Sequence, residues 1–474
     1  MTDDSLFNDQ GALGGRAGLP TPTSTASYWH REPSTKLIGH RTSTELPSSA
    51  DIVIIGSGIT GAFGAKELVD GGRRVVMLEA REACWGATGR NGGHCQPGVW
   101  NASPTIARFE LETFRMIEDL VKEHGISCDW RVVGGIHAIY SPETLATAKA
   151  QVKRLQAYPD LRDKAVLIED KDELAARHVP DALAAVFQPL AAQLWPYKLI
   201  AWILERLIHQ CDAATFNLQT NTPVTHIEYR ERWLVHTQRG TVEAENLLLA
   251  TNGYTSHLVP GLTSLITPVR AQISALEPPL GATQLPHSYV WMKEGDYQYL
   301  IQRHQEDTHI KDSDGMAENS LLIFGGERPA AQARDYGLSR DDEVDPVVSQ
   351  ALRDNIHDGL NVYHGVSIPG KSNVLPALRA AYEWTGIMGY SSDDHPWVGR
   401  VPPNLFGGKH AVNSQATDAA YTGTLWMSGG YTGHGMPVAA RCGVAVAQMI
   451  LGFRDGVQVP REWMITDARV QSCR

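Results

Sequence analysis

Residues 1–50 are rich in Ser, Thr, Gly and Pro and show no apolar periodicity before Tyr28 and Trp29. That pattern predicts a flexible leader over 1–26 followed by a strap on the surface. The pattern then changes sharply. Residues 51–55, DIVII, form a short apolar, β-branched run, as a buried parallel strand requires. Residues 58–68 read as a helix of small residues, and 74–78, RVVML, as a second buried strand ending at Glu79. Strand, helix and strand in this order make a βαβ unit.

Beyond it, Ile106, Phe109, Leu111, Phe114, Ile117, Leu120 and Val121 recur at helical intervals, predicting a helix over 103–124. Residues 132–140 read as a strand, the Ala/Leu-rich stretch 143–190 as mainly helical, and 196–210 as a further helix. The apolar run LLLA at 247–250 predicts a strand that ends in Thr251, Asn252 and Gly253. Short strands follow at 299–301 and 321–324. The chain returns at its end to strand, glycine-rich turn and helix, over 425–451. No internal repeat is present.

The segment GSGITG, from Gly56 to Gly61, matches GxGxxG between a strand and a helix. Gly56 permits a tight turn, Gly58 lets the backbone approach a pyrophosphate, and Gly61 lets the helix pack close to the strands. A helix N-terminus there offers N–H groups and a positive dipole end to phosphate. Glu79, 18 residues past Gly61, has the spacing of the acid that bonds ribose hydroxyls and repels a 2′-phosphate. A dinucleotide site is expected, and NADP is disfavoured.

Composition narrows the class. The 474 residues are enough for two or three domain-sized units, and 42% hydrophobic with 20% charged residues is an ordinary globular profile. A net charge of -11 argues against a nucleic-acid surface. No apolar run is long enough to span a membrane, and the acidic start, MTDDSLFNDQ, does not resemble a secretory signal. Six scattered cysteines without a CxxC pair suit a reduced compartment. A cytoplasmic location is expected, with a peroxisomal one left open.

The glycines do not by themselves separate NAD from FAD. The loop EAREACWGATGRNGGH, from Glu79 to His94, is glycine-rich with little apolar patterning, as a backbone running along an extended ligand would be. Together, GSGITG, WGATGRNGGH, ATNGY and GGYTGHGM resemble the FAD-dependent D-amino-acid oxidase-like family, with the GRNGG version most similar to its γ-glutamylputrescine oxidase branch. The resemblance runs from about residue 27 to 452 and is strongest in the parts that would face the flavin. It implies non-covalent FAD and assigns roles by position. Gly56, Gly58 and Gly61, with Ile59 and Thr60, would hold the pyrophosphate, and Glu79, Ala80 and Arg81 the adenosine. Ala87, Thr88, Arg90, Asn91 and Gly92 would line the flavin, and Val224 would meet the adenine. Ala250, Thr251 and Gly253 would lie under the diphosphate. Gly430, Gly433, His434, Gly435 and Met436 would lie beside the ribityl chain and pyrimidine ring.

The resemblance also implies hydride transfer from an amine-bearing carbon to flavin N5, giving an imine. The sequence departs from the family in three places. Met388 stands in WTGIMGY where amino-acid-specific members carry a carboxylate-clamping Arg, which favours an apolar or aromatic amine unless Arg303 or Arg328 replaces the clamp. No Cys lies in 383–392 to tether the flavin, which leaves His94 as the residue to consider for a bond. The oxygen-assisting Lys of sarcosine-type members falls near Ile323, so His434 or Lys293 would have to serve oxygen, or another acceptor takes the electrons. Trp130, His137, Tyr254, Tyr297, Tyr299, Arg303, Met388 and His395 are the candidate pocket residues; Tyr254, Arg303, Met388 and His434 are those expected nearest the chemistry.

The expected fold is α/β: a discontinuous Rossmann-type FAD-binding domain over 27–102, 194–255 and 381–474, with an inserted α+β, mixed-sheet substrate domain over 103–193 and 256–380. The partners would be an amine or amino acid and either oxygen or another electron acceptor. Three readings compete: a dehydrogenase of the same fold, a non-catalytic dinucleotide-binding protein and an NAD enzyme. The second glycine turn, GGYTGHGM, has no use in the last. Gly58→Val tests the fingerprint: the added side chain is expected to abolish flavin retention, read from the absorbance of the purified protein. Full retention would remove Gly58 from the cofactor site.

Overall fold

The computed structural model describes residues 15–293, 295–304, 320–364, 375–406 and 424–474. Strand β1 (Ser49–Ile55), helix α1 (Ile59–Asp70) and strand β2 (Val75–Leu78) form the expected βαβ unit. Their sheet has a parallel core in the order 424–429, 240–249, β1, β2, 216–219. The strands Val224–Tyr229 and Trp233–Thr237 extend it as an antiparallel meander. β1 and β2 are buried at almost every position, which is why both read as continuous apolar runs rather than alternating ones. Helices α1, Pro196–Gln210 and Ala439–Leu451 share one core on a single face of this sheet.

A second, mixed sheet runs 380–391, 266–276, 322–325, 296–302, 288–293, 135–139, 184–188, 166–168. All its pairings are antiparallel except 135–139 with 288–293. Both layers of the expected α/β architecture are therefore present.

Several local expectations need correction. The stretch 143–190 is helical only at Pro142–Leu155 and Lys171–Ala176, and it contributes the strands Val166–Ile168 and Ala184–Gln188. The run AAVFQ is buried at four of five positions, so it carries no alternation to distinguish strand from helix. The strand expected over 132–140 breaks at Gly134, whose φ of +70° separates Arg131–Val132 from Gly135–Ile139. Helix α2 (Pro104–His124), expected in the substrate unit, buries Phe109, Phe114 and Ile117 in a core to which both sheets contribute, with Ile52 and Ile54 from the first and Ile273, Ile301 and Ile323 from the second. Conversely, the strand Ala380–Ser391 pairs along its length with Ile266–Leu276 and belongs to the second sheet.

The leader is also tied down where it is described. Arg16 donates to the Ser256 and His257 carbonyls, and Thr21 and Thr25 donate to Asp341. Residues 1–14 lie outside the described residues.

Arg303 is placed by the core and not by a pocket. Its side chain is 2% exposed and pairs through Nη2 with the Asp129 carboxylate at 2.5 Å. The guanidinium lies 5.4 Å from the Trp29 ring centroid and 5.9 Å from that of Trp195. Removing one partner of such a pair leaves the other charge without compensation. Arg303→Met is therefore expected to lose about 3–5 kcal/mol of stability, measured by urea unfolding of the apoprotein. A loss below about 1 kcal/mol, the range of solvated pairs, would contradict this placement.

Candidate active site

The cofactor cradle begins where β1 stops. Gly56 turns with φ +104°, and a Cβ there would lie 2.6 Å from the Ala250 carbonyl oxygen. A Cβ on Gly61 would lie 2.0 Å from the Gly56 carbonyl oxygen. These two glycines let the turn close and α1 dock on it. Gly58 caps α1 with no side-chain bond, and the Ile59 N–H donates to Thr88 Oγ1 at 3.1 Å.

Glu79 is 8% exposed at the end of β2. Its Oε2 accepts the Ser57 N–H at 3.1 Å and hydroxyl at 2.6 Å, and its Oε1 accepts the Arg81 N–H at 2.9 Å. The carboxylate is thus fixed at the cavity wall before any ribose arrives.

Beside it the expected Arg81 and Arg90 meet a buried acid, Asp341, that sequence reasoning missed. Asp341, 0% exposed, accepts two bonds from Arg81, at 2.9 and 3.0 Å, and lies 3.4 Å from Arg90 Nε. Arg90 also donates to the Thr385 and Thr25 carbonyls, each at 2.6 Å. Burial pulls the Arg90 guanidinium down to about 10, against the pull of Asp341, which leaves it charged at neutral pH. No periodicity marks Asp341; its only sequence signal is an acid in an otherwise unassigned loop.

The glycine loop runs onward beneath an aromatic roof. A Cβ on Gly92 would strike the Tyr299 ring at 2.4 Å. His94 bonds Ser288 Oγ through Nδ1 at 2.7 Å, and its Nε2 is buried with no hydrogen-bond partner. Burial pushes His94 and His137 down to about 3, so both imidazoles are neutral.

The second glycine turn closes the far side. Tyr431 bridges the turns, its hydroxyl 2.7 Å from both Thr60 Oγ1 and Ser428 Oγ. Asn252 Oδ1 accepts the Gly430 N–H at 2.9 Å. His434 Nε2 lies 2.8 Å from Glu110 Oε2, which also accepts the Gly98 N–H at 2.6 Å. His434 is half exposed and lines the cavity. Burial disfavours its charge, and the Glu110 carboxylate outweighs that, raising the imidazole above its ordinary value. Neither Glu110 nor Tyr431 was legible as a site residue.

One cavity of about 1090 Å³ joins these parts. That exceeds the range of about 300–1,000 Å³ usual for a drug-sized ligand alone. It suits an extended cofactor with a substrate. At the nucleotide end it is lined by Gly56, Gly58, Ile59 and Thr60 and by Glu79, Ala80 and Arg81, with Val224, Ala250 and Thr251. Ala87, Thr88, Arg90, Asn91 and Gly92 line its middle. Gly433, His434, Gly435 and Met436 line its far side, and Met388 the chamber beyond.

Five expected residues, Gly61, Gly253, Gly430, Arg303 and Trp130, are absent from the wall. Gly61 and Gly253 pack behind it; a Cβ on Gly253 would lie 2.5 Å from the Met388 carbonyl oxygen. Gly430 turns with φ +73° against Trp397 and Ile266. Arg303 is in the core. Tyr254 does line the cavity, but its neighbouring charges are Asp341, Arg81, Arg90 and Glu79, at the nucleotide end rather than beside the chamber. Of the remaining candidates, His137, Tyr297, Tyr299 and His395 line it, while Trp130 packs on Phe114. The side chain of Lys293 lies outside the described residues.

Comparison with known proteins identifies the class. Residues 51–449 match the family model described as FAD dependent oxidoreductase, and the chain belongs to that family. It is 24% identical to the gamma-glutamylputrescine oxidoreductase of Escherichia coli (strain K12) over 427 residues, covering 85% of this chain and 84% of that one. It is 22% identical to a probable oxidoreductase OrdL of Haemophilus influenzae, covering 87% and 86%. Among solved structures, glycine oxidase from Geobacillus kaustophilus superposes with a TM-score of 0.66 at 17% identity, over 89% of this chain and 99% of that one. The L-proline dehydrogenase from P. horikoshii gives 0.66 at 18% identity, over 88% and 97%. The cofactor is FAD, and the cradle fits it: two turns that exclude Cβ atoms, a fixed acid at the ribose position and a cavity joining both.

Among the described residues no cluster could hold a metal ion, and no helix is long and apolar enough to cross a membrane.

The His434–Glu110 pair has a pH signature. His434 titrates above the ordinary 6.5 in the folded chain. Its stabilisation is therefore complete below 6.5 and is lost as pH rises through the folded value. Glu110→Gln is expected to bring the His434 titration, followed by ¹⁵N-edited NMR, below that of the parent. It should also flatten the stability change on the alkaline side of 6.5. Identical titrations would show that the pair sets no charge.

Proposed function

We propose that this chain oxidises the C–N bond of an amine or amino acid, releasing an imine that water hydrolyses. Bound FAD, held without a covalent bond, supplies the hydride acceptor at its N5. The observation that carries this reading is the continuity of the cavity from the Glu79 cradle to a chamber walled by Met388, Tyr390, Tyr299 and Tyr336.

The chain's own groups have definable tasks there. His434, whose protonated form the Glu110 carboxylate favours, is placed to offset negative charge that develops on the pyrimidine side. The turn before helix Ala439–Leu451 adds N–H groups from the same direction. The neutral imidazole of His94 provides an unpartnered nitrogen, Nε2, without charge, whereas both nitrogens of His137 are taken by Trp100, Gln96 and Gln188. The tyrosine rings exclude water from the reacting carbon and favour an amine in its neutral form, whose lone pair assists hydride departure.

With oxygen as acceptor the second product is hydrogen peroxide. One observation favours the dehydrogenase alternative. Ile323, at the position where sarcosine-type relatives carry their oxygen-assisting Lys, is fully buried in an apolar strand.

The test is anaerobic mixing of the yellow protein with a panel of amines and amino acids, followed by admission of air. Bleaching by a panel member supports the reaction, and recovery of colour in air within the turnover time supports the oxidase. Bleaching followed by recovery only with a quinone or dye would establish the dehydrogenase. A protein that binds FAD and is bleached by no C–N donor would defeat the proposal.

A further inference from the structure

The Asp296–Arg328 pair is not used by the chemistry above, yet both residues line the chamber. Arg328 follows the strand Leu322–Gly325, and Asp296 opens the strand Asp296–Gln302. Their side chains are 10% and 6% exposed. Asp296 occupies one edge of the guanidinium: Nη2 donates to Oδ1 at 2.5 Å, and Nε lies 3.2 Å from both carboxylate oxygens. The remaining nitrogen, Nη1, is buried and has no hydrogen-bond partner. The guanidinium carbon stands 4.9 Å from the Tyr390 ring centroid and 5.8 Å from that of Tyr336. Those rings meet edge to face at 5.5 Å.

A buried guanidinium nitrogen with unused N–H groups is costly unless something accepts from it. Asp296 orients the planar fork and fixes which nitrogen stays open, and the tyrosines hold its plane. An acceptor must therefore come from the cavity. A carboxylate is the strongest acceptor for a guanidinium.

The position of the fork says which carboxylate. Met388 and Tyr390 are two residues apart on one strand, so both side chains point to the same face, and both line the chamber. The carboxylate clamp expected at position 388 is a thioether here, and the guanidinium instead stands over position 390. That is one side-chain row further along, about 7 Å. Resting on the reading that this site oxidises a C–N bond, the geometry points to a substrate whose carboxylate is separated from the oxidised carbon by several bonds and is received by Arg328 Nη1. Arg328 is then the specificity residue for that remote carboxylate. Asp296 is its positioning residue.

Two measurements on the FAD-loaded protein test this. Calorimetric titration with hexanoate and with hexanamide reads the clamp without turnover; hexanoate is expected to bind about tenfold or more tighter, the range for hydrogen bonds to charged groups. Anaerobic flavin bleaching compares 6-aminohexanoate, hexylamine and 2-aminohexanoate, and the first is expected to be fastest. In Arg328→Met both preferences for the remote carboxylate should fall about ten- to a hundredfold, with flavin content preserved. Should Arg328→Met fail to fold, Arg328→Lys keeps the charge and loses the planar fork, and it should lose most of the preference. Equal binding of hexanoate and hexanamide by the parent overturns the clamp, as does faster reaction of 2-aminohexanoate. Loss of FAD on substituting Arg328 would assign the residue to the cofactor and overturn it too. Bleaching by hexylamine with no carboxylate preference defeats the clamp alone. Hexanoate binding with no bleaching by any amine defeats the reaction alone.

Discussion

The structure depends on one buried carboxylate. Asp341 has no contact with solvent, and burying a lone charge would be prohibitive. It is held by Arg81 from the end of β2 and faces Arg90 from the flavin loop. Of the leading strap, Thr21 donates to this carboxylate and Thr25 to the Asp341 backbone carbonyl, and Arg90 carries the connection on to Thr385 in the second sheet. Four distant stretches of chain meet at this point. Breaking a buried pair costs far more than a solvated one, so the arrangement makes the cradle a defined shape before FAD binds. It also explains why residues 16–25 pack as a strap: their hydroxyls satisfy the polar groups of this node.

The second constraint is backbone proximity. The strands β1, β2, Gly240–Leu249 and Thr424–Gly429 are parallel and end on the same side of the sheet, so their following turns converge. That convergence leaves little room. Gly56 would clash with the Ala250 carbonyl if it bore a Cβ, and Gly61 would clash with Gly56. Tyr431 then reaches from the last turn to Thr60 on the first, which fixes the two cofactor-binding turns relative to each other. The glycines allow the approach, and the tyrosine sets its distance.

These two constraints differ in how far the sequence reveals them. The turn at 56–61 is local: strand, glycines, helix and acid follow within thirty residues, and each leaves its own pattern. The Asp341 node is not local. Arg81 and Asp341 are 260 residues apart, and Glu110 and His434 are 324 apart. An acid in a loop or on a helix face has the same pattern whether it is solvated or buried against a distant cation. The same limit applies to Arg303 and Arg328, which read alike as cations near apolar strands. Only the folded sheet puts the first beside Asp129 and Trp29 and the second over Tyr390. The strand at 184–188 escaped notice for a related reason, because a run buried on both faces loses the alternation that identifies a strand, and the strand at 166–168 is too short to show a period.

The chamber has a charge logic of its own. His94 and His137 are neutral through burial, while the Glu110 carboxylate raises His434 above its ordinary value and so favours its protonated form. Asp296 is already committed to Arg328. An amine entering among Tyr299, Tyr336 and Tyr390 therefore meets neutral nitrogens and ring faces, while the carboxylate nearest Arg328 is occupied. Low polarity disfavours the ammonium form, so the wall itself shifts an incoming amine toward the species with a lone pair. No dedicated base is required for that shift. His434, whose protonated form Glu110 favours, lines the cavity at the second glycine turn. Burial thus keeps the imidazoles of His94 and His137 neutral, and paired carboxylates place the charge along the cavity: Asp296 fixes Arg328, and Glu110 favours protonation of His434.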